Sequence, residues 1–238
     1  MKKISSFFKK TISALMILSF ISTVITLETE TTEAKGLLFD FPYDDGGGGC
    51  SDWGQGVALH DARYMISPKK GEIGTYSYVD VTGPYGRAQA GSEAWLIGPK
   101  GGKFSVDTTR AYLIRGFFDL NGAAWTVFSG MVPGDIPSGL AQVYESYIDL
   151  ELSIYEYGTN YHVETKTTNL YTPKWPGGNY LSWHNQWRTV SFYANLCKNR
   201  QYYFKVQLRS AHSACALGVG FAYSYSSIVA DLHYVTIT

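Results

Sequence analysis

Along most of the chain, apolar and polar side chains alternate one for one. Ala88, Ala90, Ser92, Ala94 and Leu96 share one side of a segment whose other side carries Gln89, Gly91, Glu93 and Trp95. The same period continues through Phe104 and Val106, through Tyr112, Ile114, Gly116, Phe118 and Leu120, and on to Trp125 and Val127. It is most regular where Ile148, Leu150, Leu152 and Ile154 face away from Glu145, Tyr147, Asp149, Glu151, Ser153 and Tyr155. Val190, Phe192 and Ala194 repeat it, as do Phe204, Val206 and Leu208, then Ala214, Ala216, Gly218, Gly220 and Ala222, and a last short run over 235–237. Successive side chains of a strand point to opposite faces, so a period of two predicts strands with one buried and one wet side. Helical spacing is nowhere sustained.

The breaks in the rhythm predict the connections. Pro and Gly mark a breaker over 131–137, and Pro173, Pro176, Gly177 and Gly178 predict a long loop over 171–187. Residues 209–213 are expected to turn. Roughly ten short strands with turn signals between them predict an all-β fold, a two-layer antiparallel β-sandwich of jelly-roll type, with a closed barrel as the alternative. Two strands with Ala/Gly faces, near 88 and near 214, imply either a weak duplication or two neighbouring strands where the sheets approach closely.

The first 34 residues have a different pattern. Lys2, Lys3, Lys9 and Lys10 precede an apolar stretch from Ile12 to Ile25 that Ser and Thr interrupt, and Thr32-Glu33-Ala34 supplies small residues for a signal peptidase. This is the layout of a secretory signal cleaved after Ala34; the run is short and broken for a bilayer span of about 20 apolar residues. No second run of spanning length follows. Residues 35–55, acidic and holding Gly46 to Gly49, are expected to form a lead-in loop before a single sandwich domain over 56–238.

Composition narrows the function. The chain has 238 residues, 45% apolar and 17% charged, with 20 basic and 20 acidic side chains. That is a folded chain with its own apolar core, and its charge balance disfavours nucleic acid as partner. Cys50, Cys197 and Cys215 permit one disulfide in three ways, the expected state in an oxidising compartment. His60 is the nearest histidine for a reactive Cys50, but nothing in the sequence supplies the electropositive setting that a thiolate needs.

The chemistry-bearing stretch is aromatic. Tyr171, Trp175, Tyr180, Trp183 and Trp187, with Arg188 and several amides beside them, suit a saccharide, whose apolar C–H faces stack on rings while its hydroxyls seek donors and acceptors. The bland alternative is that these rings cap the core. Glu145, Asp149 and Glu151 share a strand face at ~6.5–7 Å per two residues, near the spacing of a glycosidase carboxylate pair, and equally suit a solvated face. Asp44, Asp45 and Asp52, with Asp40 nearby, offer oxygen ligands for Ca²⁺ without matching a calcium-loop spacing. Histidines 60, 162, 184, 212 and 233 stand apart from one another, and no phosphate loop or nucleophile elbow occurs. The leading expectation is a secreted, non-catalytic sandwich without a required cofactor that binds carbohydrate or another cell-surface polymer through the aromatic loop. The alternatives are a glycan hydrolase using the carboxylates, and an assembly protein of envelope or matrix.

Overall fold

The computed structural model describes residues 36–40, 43–83, 85–128, 141–173, 179–216 and 220–238. The expected signal, the breaker over 131–137 and Trp175 lie outside them. Among the described residues twelve strands follow in chain order: β1 (Leu37–Asp40), β2 (Asp45–Gln55), β3 (Ala58–Ser67), β4 (Glu72–Thr82), β5 (Gly86–Gly98), β6 (Phe104–Ser105), β7 (Arg110–Phe128), β8 (Ala141–Glu156), β9 (Tyr161–Tyr171), β10 (Asn179–Leu196), β11 (Gln201–Ala216) and β12 (Phe221–Ile237). No helix occurs among the described residues.

The strands form two sheets with antiparallel pairing throughout. The front sheet runs β10-β7-β12-β4-β3, with β1 paired to the end of β12. The back sheet runs β2-β5-β11-β8-β9, with β6 beside the start of β11. The chain passes repeatedly from one sheet to the other, a jelly-roll-like two-layer sandwich as the alternation predicts. Ile148, Leu150, Leu152 and Ile154 on β8 and Phe204, Val206 and Leu208 on β11 are buried against Ile114, Phe118 and Leu120 of β7. At roughly 2 kcal/mol per fully buried large side chain, this interior drives the two sheets together.

The core has two parts. Beside the large apolar cluster lies a smaller one of Ala62, Val79, Val81, Ala88, Ala90, Ala214, Ala216 and Ala222. The two Ala-faced strands are therefore neighbours, with Ala88 directly opposite Ala214. Between the clusters lies a layer of hydroxyls around His212, which is fully buried mid-strand on β11. Its Nδ1 is 2.9 Å from Ser146 Oγ and 2.8 Å from Ser224 Oγ, and its Nε2 is 2.7 Å from Ser226 Oγ. Thr126 joins Ser224 at 2.9 Å, and Ser210 bonds to both Ser77 and Ser92. Each polar group taken from water needs such a partner, and the layer supplies them mutually.

Several expectations fail for identifiable reasons. Residues 209–213 do not turn: β11 is unbroken because Ser210, His212 and Ala214 all point inward to the hydroxyl layer and the small cluster. The Ala-faced run ends at Ala216, and Ala222 belongs to β12. The glycine run is edge strand β2 rather than a lead-in loop. A Cβ on Gly47 would lie 2.4 Å from the Trp95 ring, and one on Gly48 2.4 Å from the Tyr64 ring. Neighbouring rings occupy the space that side chains would fill. No disulfide joins Cys50, Cys197 and Cys215, which are exposed on β2, half-buried after β10 and buried on β11.

Candidate functional site

The expected aromatic loop is largely a strand, because β10 begins at Asn179 and pairs with β7 along its whole length. Register shifts between Trp183 and Gln186, where Asn185 adopts a φ of 47° and its N–H donates to Asn121 Oδ1 at 2.9 Å. Such a bulge inserts one extra residue and reverses the faces beyond it. Trp183 consequently points into the core at 1% exposure, opposite Gly122, whereas Trp187 lies outward at 49%. A Cβ on Gly122 would lie 2.1 Å from the Ser227 carbonyl, so only glycine fits this part of the β7–β12 pairing.

Tyr171 is also core. Its hydroxyl lies 2.9 Å from Thr126 Oγ1 and 3.1 Å from the Asn179 carbonyl, and burial raises its pKa. Tyr180 is exposed on the outer face, and Arg188 is exposed on the edge strand in register with buried Phe118. The structure thus divides the predicted set between interior and surface.

Another residue completes the outer face. Trp125 projects outward at 47% exposure, with its neighbours Ala124 and Thr126 directed inward. Counting in twos from buried Leu120 puts 122, 124 and 126 inside and Trp125 outside, a parity that the sequence already contains. In register across the front sheet run Tyr180, Trp125, Tyr225 and Tyr78. Trp125 meets Tyr180 and Tyr223 edge-on at centroid distances of 6.3 and 5.6 Å, Tyr78 meets Tyr223 at 5.4 Å, and Tyr76 meets Tyr225 at 5.6 Å. Edge-to-face contacts of this kind hold rings in place while leaving area exposed.

The row beside this belt is small: Ser182, Ala123 and Ser227 precede Tyr76. A shallow hollow of about 180 Å³ opens there between Tyr76, Met65, Ser227 and Val229, over Gly74. Past it the face rises again to Trp187, whose ring lies 6.0 Å from Phe117 and 5.2 Å from His233. Asp119, Asp231 and Glu72 stand in register beside Trp187, and His233 Nε2 is 3.0 Å from Asp119 Oδ2. Burial raises the Asp231 pKa; Glu72 and Asp119 add to the rise, against the opposing pull of His233.

The back sheet's outer face carries the other predicted carboxylates. Asp149 accepts from Asn169 Nδ2 at 2.8 Å, Glu151 accepts from Ser153 at 2.8 Å and lies 4.0 Å from Arg209, and Glu145 is exposed four residues from Asp149. The expected calcium ligands are not brought together. Asp45 and Asp52 are seven positions apart on extended β2; Asp52 pairs with His60 at 2.6 Å, and Asp44 accepts from the Gly101 N–H at 3.1 Å. No group of three or more metal-ligating side chains occurs among the described residues.

No known protein family and no curated protein matches the chain. Among solved structures, it is similar to a carbohydrate-binding module of lichenase 5A from Cellvibrio mixtus in complex with cellotriose, at 12% identity and a TM-score of 0.32 over 85% of this chain and 95% of that one. It is also similar to the C-terminal module of the laminarinase LamC from Zobellia galactanivorans, at 12% identity and 0.29 over 86% and 99%. A third is a module in complex with β-1,4-galactotriose, at 7% identity and 0.26 over 74% and 86%. At TM-scores of this size the likeness assigns no ligand to this chain, and its sandwich rests on its own strand pairing.

Proposed function

We propose that this protein is secreted and binds a polysaccharide chain, without cleaving it, along the outer face of the front sheet. The observation that carries the reading is the pair of exposed indoles on one face of neighbouring strands, Trp125 on β7 and Trp187 on β10. Trp187 stands opposite Asp119, six residues along β7 from Trp125, which sets the two ridges ~20 Å apart at strand rise. That span suits several consecutive sugars rather than one. Rings at both ends offer flat apolar area to C–H faces. Asn121, Asp119, Asp231 and Ser227 between them offer hydrogen-bonding groups to hydroxyls, and the small row leaves room for the chain to lie flat. Contiguous exposed aromatic area of this kind marks an interaction surface rather than an ordinary solvated face. Secretion rests on the charged head, apolar stretch and small-residue site of the first 34 residues.

The test is retention on insoluble cellulose, chitin and β-1,3-glucan. The protein and a Tyr161→Ala control, altered at an exposed ring of the back sheet, should be retained on at least one matrix, and Trp125→Ala and Trp187→Ala should elute early from it. Equal retention of all four proteins overturns the reading. Release of reducing sugar from the retained polymer would overturn the non-catalytic part alone.

A further inference from the structure

The opposite face of the sandwich holds a hollow of about 340 Å³ on the outside of the back sheet. Its floor is a patch without large side chains. Ser51, Gly91 and Ala211 lie in register across β2, β5 and β11, next to Gly49. Tyr147 on β8 stands opposite Ala211 and walls one side; Glu93 and Arg209, themselves opposite one another, form the rim.

Two of these glycines are not required by packing. A Cβ on Gly91 would meet nothing closer than the Ser210 carbonyl at 3.6 Å, and one on Gly49 nothing closer than Glu93 at 3.7 Å, both ordinary contacts. Neither residue has a positive φ. Gly46, Gly47 and Gly48 differ, since rings, side chains or backbone already fill their Cβ space. Glycine within a strand sacrifices backbone entropy and side-chain packing, so at positions 49 and 91 it keeps space open at a cost in stability.

The rim is polar and balanced. Gln207 Nε2 donates to Glu93 Oε2 at 2.8 Å, Arg209 donates to Gln207 Oε1 at 2.9 Å, and Arg209 Nε lies 3.8 Å from Glu93 Oε2. Glu93 and Arg209 each keep nearly half of their side-chain surface in solvent. One carboxylate and one guanidinium, already bridged by an amide, leave the lining without net charge. A charged ligand would meet a like charge on the same rim, whereas a neutral polyol adds hydrogen bonds to both groups: Glu93 accepts from hydroxyls and Arg209 donates to them. The volume lies at the low end of small-ligand pockets, which run from about 300 to 1,000 Å³.

We infer that this hollow is a second saccharide site, which takes a single neutral sugar ring against Tyr147 with its hydroxyls on Glu93 and Arg209. It differs from the front-sheet face in accepting one ring instead of a chain. With both faces occupied, one molecule would join two glycans.

The experiment uses the Trp125→Ala/Trp187→Ala double variant, in which the front-sheet face is disabled. Calorimetric titration with glucose, galactose, mannose and xylose should give one site for at least one of these sugars. Gly91→Val added to that variant should abolish it, because the new side chain fills the floor while every polar group of the rim is kept. Thermal scans of Gly91→Val in the otherwise unaltered protein should show a melting temperature at or above that of the parent, which separates filling from unfolding. Unaltered binding by Gly91→Val, or no binding of any of the four sugars to the double variant, overturns the inference. Either result leaves the polysaccharide retention test standing, just as failure of that test leaves this one standing.

Discussion

Trp183 and Trp187, four residues apart on β10, face opposite sides of the front sheet because one extra residue at Asn185 shifts the strand register between them. In an unbroken strand that spacing would put both on one side. The two indoles therefore have separable roles. Trp183→Ala should destabilise the fold by about 3–5 kcal/mol, the usual effect of emptying a large core site. Trp187→Ala should leave stability nearly unchanged and affect only polymer retention. Urea unfolding of both variants checks the contrast, and equal destabilisation would contradict it.

His212 makes stability depend on acid. Burial lowers its pKa to about 3, below the 6.5 of the unfolded chain. The folded protein thus resists a proton that the unfolded chain takes up. The associated stability is fully present above pH 6.5 and is lost as pH falls toward 3, at up to ~1.4 kcal/mol per pH unit. Denaturant midpoints measured from pH 7.5 to 4 should fall accordingly, and His212→Gln should remove that part of the slope.

Asp231 acts in the opposite sense. Burial, with Glu72 and Asp119 nearby, raises its pKa above 3.8 despite His233. Just above pH 3.8 the unfolded chain releases this proton while the folded protein still holds it, so stability declines as pH rises through that window. Asp231→Asn should raise the melting temperature at pH 7 and bring no gain at pH 3, as calorimetry at the two values would show.

Thr75 Oγ1 is buried with no hydrogen-bond partner among the described residues. An unsatisfied buried hydroxyl is costly, and valine has nearly the same shape. Thr75→Val should therefore stabilise the protein by about 1 kcal/mol, read as a higher urea midpoint with an unchanged slope.

The sandwich was legible because its core strands obey a strict period of two: the Ile148–Ile154 and Phe204–Leu208 faces point inward as their patterns predict. The site was only partly legible. Nothing local to Asn185 marks it as a bulge, since its conformation is stabilised by Asn121 on a neighbouring strand, so the reversal at Trp187 depends on tertiary context. Trp125 was within reach by parity from Leu120. The hollow on the back sheet draws on β2, β5, β8 and β11, and only sheet pairing shows that Gly49, Gly91 and Ala211 are close together. Propensity favours a loop for the glycine run, whereas in the structure it pairs with β5 under the rings of Trp95 and Tyr64.

Strand β2 ends its sheet, and an unpaired border normally invites a foreign strand to add on and propagate into aggregates. Here that border presents glycines and the acidic Asp45 and Asp52 along most of its length, and the exposed ring of Trp53 near its end is its one large apolar side chain. The same residues that admit the rings of Trp95 and Tyr64 thereby blunt the sheet against fibrous self-association.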